Sequence, residues 1–225
     1  SWVVVRNHWT MATFPNDDSF GIATFHCDEL FAQNKMIVTT LNRIREHNPC
    51  PAGWEKLLKH LGKTGPDDEP LAFSEIVKSN GLDEALWCCR AEPQYDKEWR
   101  LFAVWCARRV QNFLTDPRSI HALDVAERHA NGNATDKELF DAQEACEYVD
   151  SKFAASVAGS VAFSVAGRAA WAAAWDAAKC VAWAAQGHAA EIAAWSESAT
   201  PMADAWDAEE DERRAQTAKF LEVVG

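Results

Sequence analysis

Few side chains in this sequence stand at spacings that chemistry uses. His188 and Glu191, in His-Ala-Ala-Glu, lie one helical turn apart, as the ligands of a metal-binding helix do. A helical di-iron centre needs two Glu-x-x-His elements and two further glutamates, and these are missing, so no metal is expected. His121 and His129 flank Asp124 and Glu127, and Cys106 sits on the preceding helix, so a thiol–imidazole site can be drawn from them. Cys106 falls on an apolar face, however, where burial raises a thiol's pKa and suppresses its reactivity. Asp141, Glu144 and Glu147 share one helical face with no base or nucleophile paired to them, the pattern of a solvated surface. Gly62-Lys63-Thr64 lacks the upstream glycine of a phosphate-binding loop. No catalytic residue, metal ligand or cofactor site is therefore assigned, and the chain is read as a non-enzyme.

Two charged groups carry the remaining binding expectations. Arg108 and Arg109, with Arg118, suit a phosphate or carboxylate, and their first expected partners are the carboxylates of the C-terminal half. Arg108, His121 and His129 are also the side chains that would line a ligand pocket between the N-terminal bundle and the later helices. Asp207, Glu209, Glu210, Asp211 and Glu212 form a dense acidic run, read as a solvated face and as the candidate docking surface for a basic protein partner.

The elements that must position these groups are helical. Leu41 and Ile44 mark a short helix ending near Asn48. Pro51 suits the first turn of the next, where Trp54, Leu57, Leu58 and Leu61 follow helical spacing and Gly62 closes it. After a polar loop, Leu71 to Ser79 and Leu82 to Arg90 read as two more helices separated by Asn80-Gly81. Asp96 to Leu114 is the expected central helix of this bundle, with Trp99, Phe102, Ala103, Cys106, Val110, Phe113 and Leu114 on its buried face. Asp116-Pro117 starts another, with Ile120, Leu123, Ala126 and Ala130 inward, ended by Asn131-Gly132. Thr135 and Glu138 form a capping box where a long helical region begins.

From Ser156 to Trp195 the chain runs in four-residue units whose third position is almost always alanine. A period of four lies close to the helical 3.6, so Ala158, Ala162, Ala166, Ala170, Ala174, Ala178 and Ala182 form a slowly drifting stripe that admits a second helix closely. The fourth position puts Phe163, Trp171, Trp175, Trp183 and Trp195 on a neighbouring stripe, expected to supply the hydrophobic core at about 3 kcal/mol per buried indole. An unbroken helix from Asp136 to Ser196 would be roughly 90 Å long, against a radius of gyration of about 17 Å for a globule of this length. It would need a second copy, a homodimer through the Ala/Trp helices, to cover its tryptophans. A reversal at Gly159, Gly167 or Gly187 is expected instead. Pro201 then opens a last helix to Val223.

Residues 1–35 differ in character. Trp2 to Val5 and Phe20 to Phe25 are apolar runs around Pro15-Asn16-Asp17-Asp18, which reads as a hairpin or a disordered extension to a single helical domain over 36–225. That domain divides into a short-helix bundle, 36–134, and the repeat helices with the acidic last helix, 135–225. The fold class is all-α.

The formal charge of −12, with 16 acidic and 7 basic residues from Asp136 onward, disfavours direct nucleic-acid binding. Seven cysteines without a CxxC pair fit a reducing compartment, the cytoplasm, in which most are small buried apolar residues. The longest uncharged run, Phe153 to Gly167, falls short of the roughly 20 residues a membrane span needs, so no membrane partner is expected.

The segment Leu41-Asn-Arg-Ile-Arg-Glu-His-Asn-Pro-Cys50, with Gly53 to Lys63, Asn80 to Cys88, Arg100 to Val110, Thr115 to Ser119, Ala122 to Gly132 and the Ala/Trp repeat, resembles an uncharacterised family encoded in bacteriophage and prophage genomes. The resemblance covers about residues 40–195 and carries no functional residue with it. More distantly, Leu101 to Gly132 is similar to helical proteins described as immunity proteins. The resemblance implies a phage accessory protein in the cytoplasm of a bacterial host, acting on an unidentified protein partner of host or phage in an anti-defence or immunity-like role. Alternative readings are a small-molecule enzyme or binding protein with an inter-helix pocket, and an acidic mimic of nucleic acid with carboxylates in regular rows.

Overall fold

Local capping chemistry sets the helix bounds. The computed structural model describes the backbone of residues 2–5, 8–11, 25–26, 36–146, 148, 152–163, 166–193 and 201–225, and the side chains of residues 36–146, 148, 156–163, 167–181 and 206–225. Thr40 Oγ1 accepts from the Arg43 amide at 3.2 Å and starts α1 (Leu41–Glu46). Cys50 Sγ accepts from the Gly53 amide at 3.3 Å at the head of α2 (Pro51–Leu61), which Gly62 ends at φ 66°, where a side chain would be strained. Gly81, at φ 102°, alone separates α3 (Phe73–Asn80) from α4 (Leu82–Cys88). Short 3₁₀ turns at Cys89–Ala91 and Pro93–Tyr95 lead to α5 (Asp96–Arg109).

Asp116 caps α6 (Pro117–Ala130) by accepting from the Arg118 amide at 2.8 Å. The capping box forms as expected at α7 (Asp136–Cys146): the Thr135 amide donates to Glu138 Oε2 at 2.8 Å and the Glu138 amide to Thr135 Oγ1 at 3.2 Å. Next along the chain come α8 (Lys152–Val161), α9 (Ala166–Ala193) and α10 (Pro201–Val224). The architecture is an all-α bundle.

The chain forms two compact units, residues 1–37 with Gly225, and residues 38–224. In the first, β1 (Trp2–Val5) pairs antiparallel with β2 (His8–Met11), and β2 with β3 (Phe25–His26). A small hairpin exists, but β1 takes the adjacent β2 as partner and not the Phe20-to-Phe25 run, since the shorter loop closes at lower entropy cost. The expected turn at 15–18 lies outside the described residues. In the second unit, β4 (Val38–Thr39) and β5 (Leu71–Ala72) make one short antiparallel pair.

The core of the helical unit is aromatic and lies on α5. Trp99, Phe73, Phe102 and Phe220 are at most 1% exposed and meet as one cluster, with Phe102 and Phe220 centroids 5.5 Å apart and Phe73 and Trp99 5.4 Å. Helix α5 is central, as its spacing predicts. It stops at Arg109, however, so Phe113, expected on the buried face, sits in a 3₁₀ turn and is 39% exposed.

Helix α9 packs against α4, α5, α8 and α10. Ala169, Ala170, Ala173, Ala174, Ala177 and Ala178 are all at most 1% exposed, so the alanine positions do admit neighbours closely. Neither described tryptophan of the neighbouring stripe builds the core. Trp171 and Trp175 are 38% and 43% exposed, because neighbours drawn in to alanine distance leave no room for an indole between helices. The side chains of Trp183 and Trp195 lie outside the described residues.

The reversal falls between Val161 and Ala166, and α8 packs back on α9. Neither Gly159 nor Gly167 is the break, and Gly187 lies within α9. The buried Arg100 guanidinium closes the end of α8 by donating to the Val161 and Phe163 carbonyls at 2.9 and 2.8 Å. Gly167 serves close approach: a Cβ there would stand 2.9 Å from the Arg90 amide nitrogen and 3.0 Å from the Cys89 carbonyl carbon. Gly167→Ala is expected to lower stability by about 1–3 kcal/mol, seen as a lower urea midpoint, whereas Gly65→Ala, whose methyl meets nothing within 4 Å, leaves it unchanged.

Candidate functional site

The groups singled out for charge are first of all structural. Arg109 Nε donates to both oxygens of Glu212, at 3.0 and 2.8 Å, and Glu212 is 4% exposed. Gln216, fully buried, donates from Nε2 to the Ala174 carbonyl at 2.9 Å and to Glu212 Oε1 at 3.1 Å, and accepts from Arg213 Nη1 at 3.0 Å. Arg213 also pairs with Asp83 on α4. One polar chain thus joins α4, α5, α9 and α10.

The acidic run is therefore not one solvated face. Glu212 points inward, Glu209 accepts from Lys179 at 2.7 Å, Glu210 and Asp211 pair with Arg214 of the same helix, and Asp207 is exposed. The three arginines also part company. Arg109 finds the C-terminal carboxylate expected of it. Arg108 donates to Asp124 at 2.6 Å and Glu127 at 3.0 Å, and Arg118 to its own cap residue Asp116. His129 Nε2 lies 2.8 Å from Asp136 Oδ1, while His121 is exposed on α6.

A cavity of about 280 Å³ opens between α1, α2, α3, α4 and α9. Its walls are apolar: Ile44, Leu57 and Ile76, with the indoles of Trp54, Trp87 and Trp171. The expected pocket residues Arg108, His121 and His129 do not line it, because they sit on α5 and α6, which take no part in its walls. Its polar groups are Asn80, Asp83, Glu84 and the thiols of Cys50 and Cys88. Asn80 Nδ2 donates to the Gly53 carbonyl at 2.8 Å and pins α3 to α2 beneath the opening. Asp83 is held by Arg213. Glu84, half-buried in the first turn of α4, has no hydrogen-bond or ion-pair partner among the described residues. No basic side chain is found among the described residues that line the cavity.

Two of the indoles already carry guanidinium groups from outside the lining. Arg45 Cζ stands 5.4 Å from the Trp54 centroid and Arg90 Cζ 4.2 Å from Trp87. From Trp171, the exposed row of α9 continues one turn on to Trp175.

Elsewhere, Glu92 is a fully buried carboxylate. Its Oε2 accepts from Arg43 and from Gln94 at 2.5 Å each, and its carbonyl accepts from Trp99 Nε1 at 3.0 Å. Burial pushes the Cys88 thiol up to about 12 and Cys146 to about 11, and raises Cys89, Cys106 and Cys180. Cys50 is exposed. Among the described residues no group of three or more His, Cys, Asp or Glu could hold a metal, and no helix is long and apolar enough to cross a membrane. The side chains of His188, Glu191, Glu147 and Cys27 lie outside the described residues.

Comparison with protein-family models, curated proteins and solved structures gives no match. The residues that sequence reasoning missed are Glu84, Trp87, Asn80, Glu92 and Arg100. Nothing local marks them, since each acquires its role from an element remote in sequence.

Glu212→Ala is expected to cost about 1–3 kcal/mol in a urea titration, because it removes the acceptor of Arg109 and one of the two acceptors of buried Gln216. Asp207→Ala stays within about 0.5 kcal/mol. Of the six described cysteines, peptide mapping after brief alkylation of the native protein should find Cys50 modified. Cys88, Cys89, Cys106, Cys146 and Cys180 should react only in denaturant.

Proposed function

We propose that this chain is a non-enzymatic binding protein, a phage or prophage accessory protein that engages a bacterial host protein in the cytoplasm in an anti-defence or immunity-like role. The observation that carries this reading is the pair of exposed indoles, Trp171 and Trp175, on a helix otherwise packed by alanine, with Trp171 forming one wall of the cavity. Exposed tryptophan beside a concave opening is the composition of an interface anchor. The groups best suited to chemistry are engaged otherwise: Cys106 is buried, Arg108 is ion-paired and His129 faces Asp136. The phage origin rests on the resemblance of residues 40–195.

Affinity capture from bacterial lysate, followed by mass spectrometry, tests the proposal with the wild-type chain and a Trp171→Ala/Trp175→Ala variant whose helicity matches wild type. A host protein retained by the wild type and lost about tenfold or more in the variant is the expected result. Equal retention by both, or none by either, would overturn it.

A further inference from the structure

We infer that the cavity is an arginine receptor: it takes the guanidinium side chain of the partner protein, seated against Trp171 and paired with Glu84. This rests on the binding-protein reading and assigns the chemistry of that site.

The charge of the lining favours a cation. The described lining holds two carboxylates and no basic side chain. Asp83 is neutralised by Arg213, whereas Glu84 is half-buried and has no partner among the described residues. A carboxylate at an apolar wall, with its oxygens uncommitted, attracts a cation that can shed water and bring its own donors.

The aromatic walls favour one as well. Indole faces carry negative potential and bind cations. Trp54 and Trp87 each carry one of the protein's own guanidiniums, Arg45 at 5.4 Å and Arg90 at 4.2 Å, neither of which lines the cavity. Trp171 has no cation over it among the described residues, so it is the indole left to receive one.

Size and chemistry choose among cations. A volume of about 280 Å³ has room for one long side chain. Guanidinium is planar, more weakly hydrated than ammonium, stacks on indole and offers a carboxylate two parallel N–H donors. Glu84 also complements the positive end of α4, a structural role that a binding readout must be separated from.

The test is a titration with N-acetyl-arginine amide, followed by the indole N–H resonances of Trp54, Trp87 and Trp171, each assigned by a Trp→Phe variant. The neutral isostere N-acetyl-citrulline amide and tetramethylammonium are run beside it. A saturable shift is expected with the arginine derivative, little with citrulline, and affinity about tenfold weaker in Glu84→Gln. Weakening of wild-type binding by salt is a second readout that needs no variant. Equal response to citrulline, an unchanged affinity in Glu84→Gln, or no shift with any probe would overturn the assignment. A stronger response to tetramethylammonium would give the site to a free organic cation and overturn it equally. The two readings fail separately. A host protein captured through Trp171 and Trp175 but held equally by Glu84→Gln removes the arginine and leaves the binding protein. Arginine binding without any captured partner does the reverse.

Discussion

The helical unit depends on how closely four neighbours approach one alanine-rich helix. Along α9 the buried positions from Ala169 to Ala178 leave only methyl groups between backbones, so α4, α5, α8 and α10 are drawn in around it. Methyl burial contributes little per residue, and the larger hydrophobic contribution comes from Trp99, Phe73, Phe102 and Phe220. Division of labour follows from geometry: a wall of alanine sets the spacing, and aromatic residues on other helices fill the space that remains. Gly167 is the extreme case, where even a methyl would collide with the backbone of Cys89 and Arg90.

Close packing leaves α10 free to slide unless something fixes its register, and the buried polar chain does that. Gln216 reaches the Ala174 carbonyl in the middle of α9, and Glu212 meets Arg109 at the end of α5. Such groups lose hydration on burial and recover their hydrogen bonds only through well-placed partners, so a shifted α10 would leave them unpaired. The same chain ends at Asp83 on the cavity wall, which ties the shape of the opening to the seating of α10.

The cavity gathers side chains that are scattered in sequence. Trp54 comes from α2, Trp87 and Glu84 from α4, and Trp171 from α9, all held on helices and not on loops. Rigid mounting suits recognition, because little side-chain freedom remains to be lost on binding. The exposure of Trp171 and Trp175 follows from the same packing that buries their alanine neighbours. Function and fold thus share one cause at α9.

The sequence alone determined what local chemistry can determine. Helix bounds at Thr40, Pro51, Gly62, Gly81, Asp116 and Thr135 follow from caps and backbone preferences within a few residues, and all appear near their expected places. The helical class and the centrality of α5 were legible from periodicity, which is likewise local. Tertiary structure decided which faces are inside. Tryptophan size predicted burial for Trp171 and Trp175, but alanine drew the neighbours too close to admit an indole. The acidic run read as uniform, yet Glu212 turned inward because Arg109, far away in sequence, stood opposite it. The cavity left no trace in the sequence, since a concave surface is a property of several helices at once. Periodicity reports one element at a time; burial depends on how many neighbours arrive and how near they come.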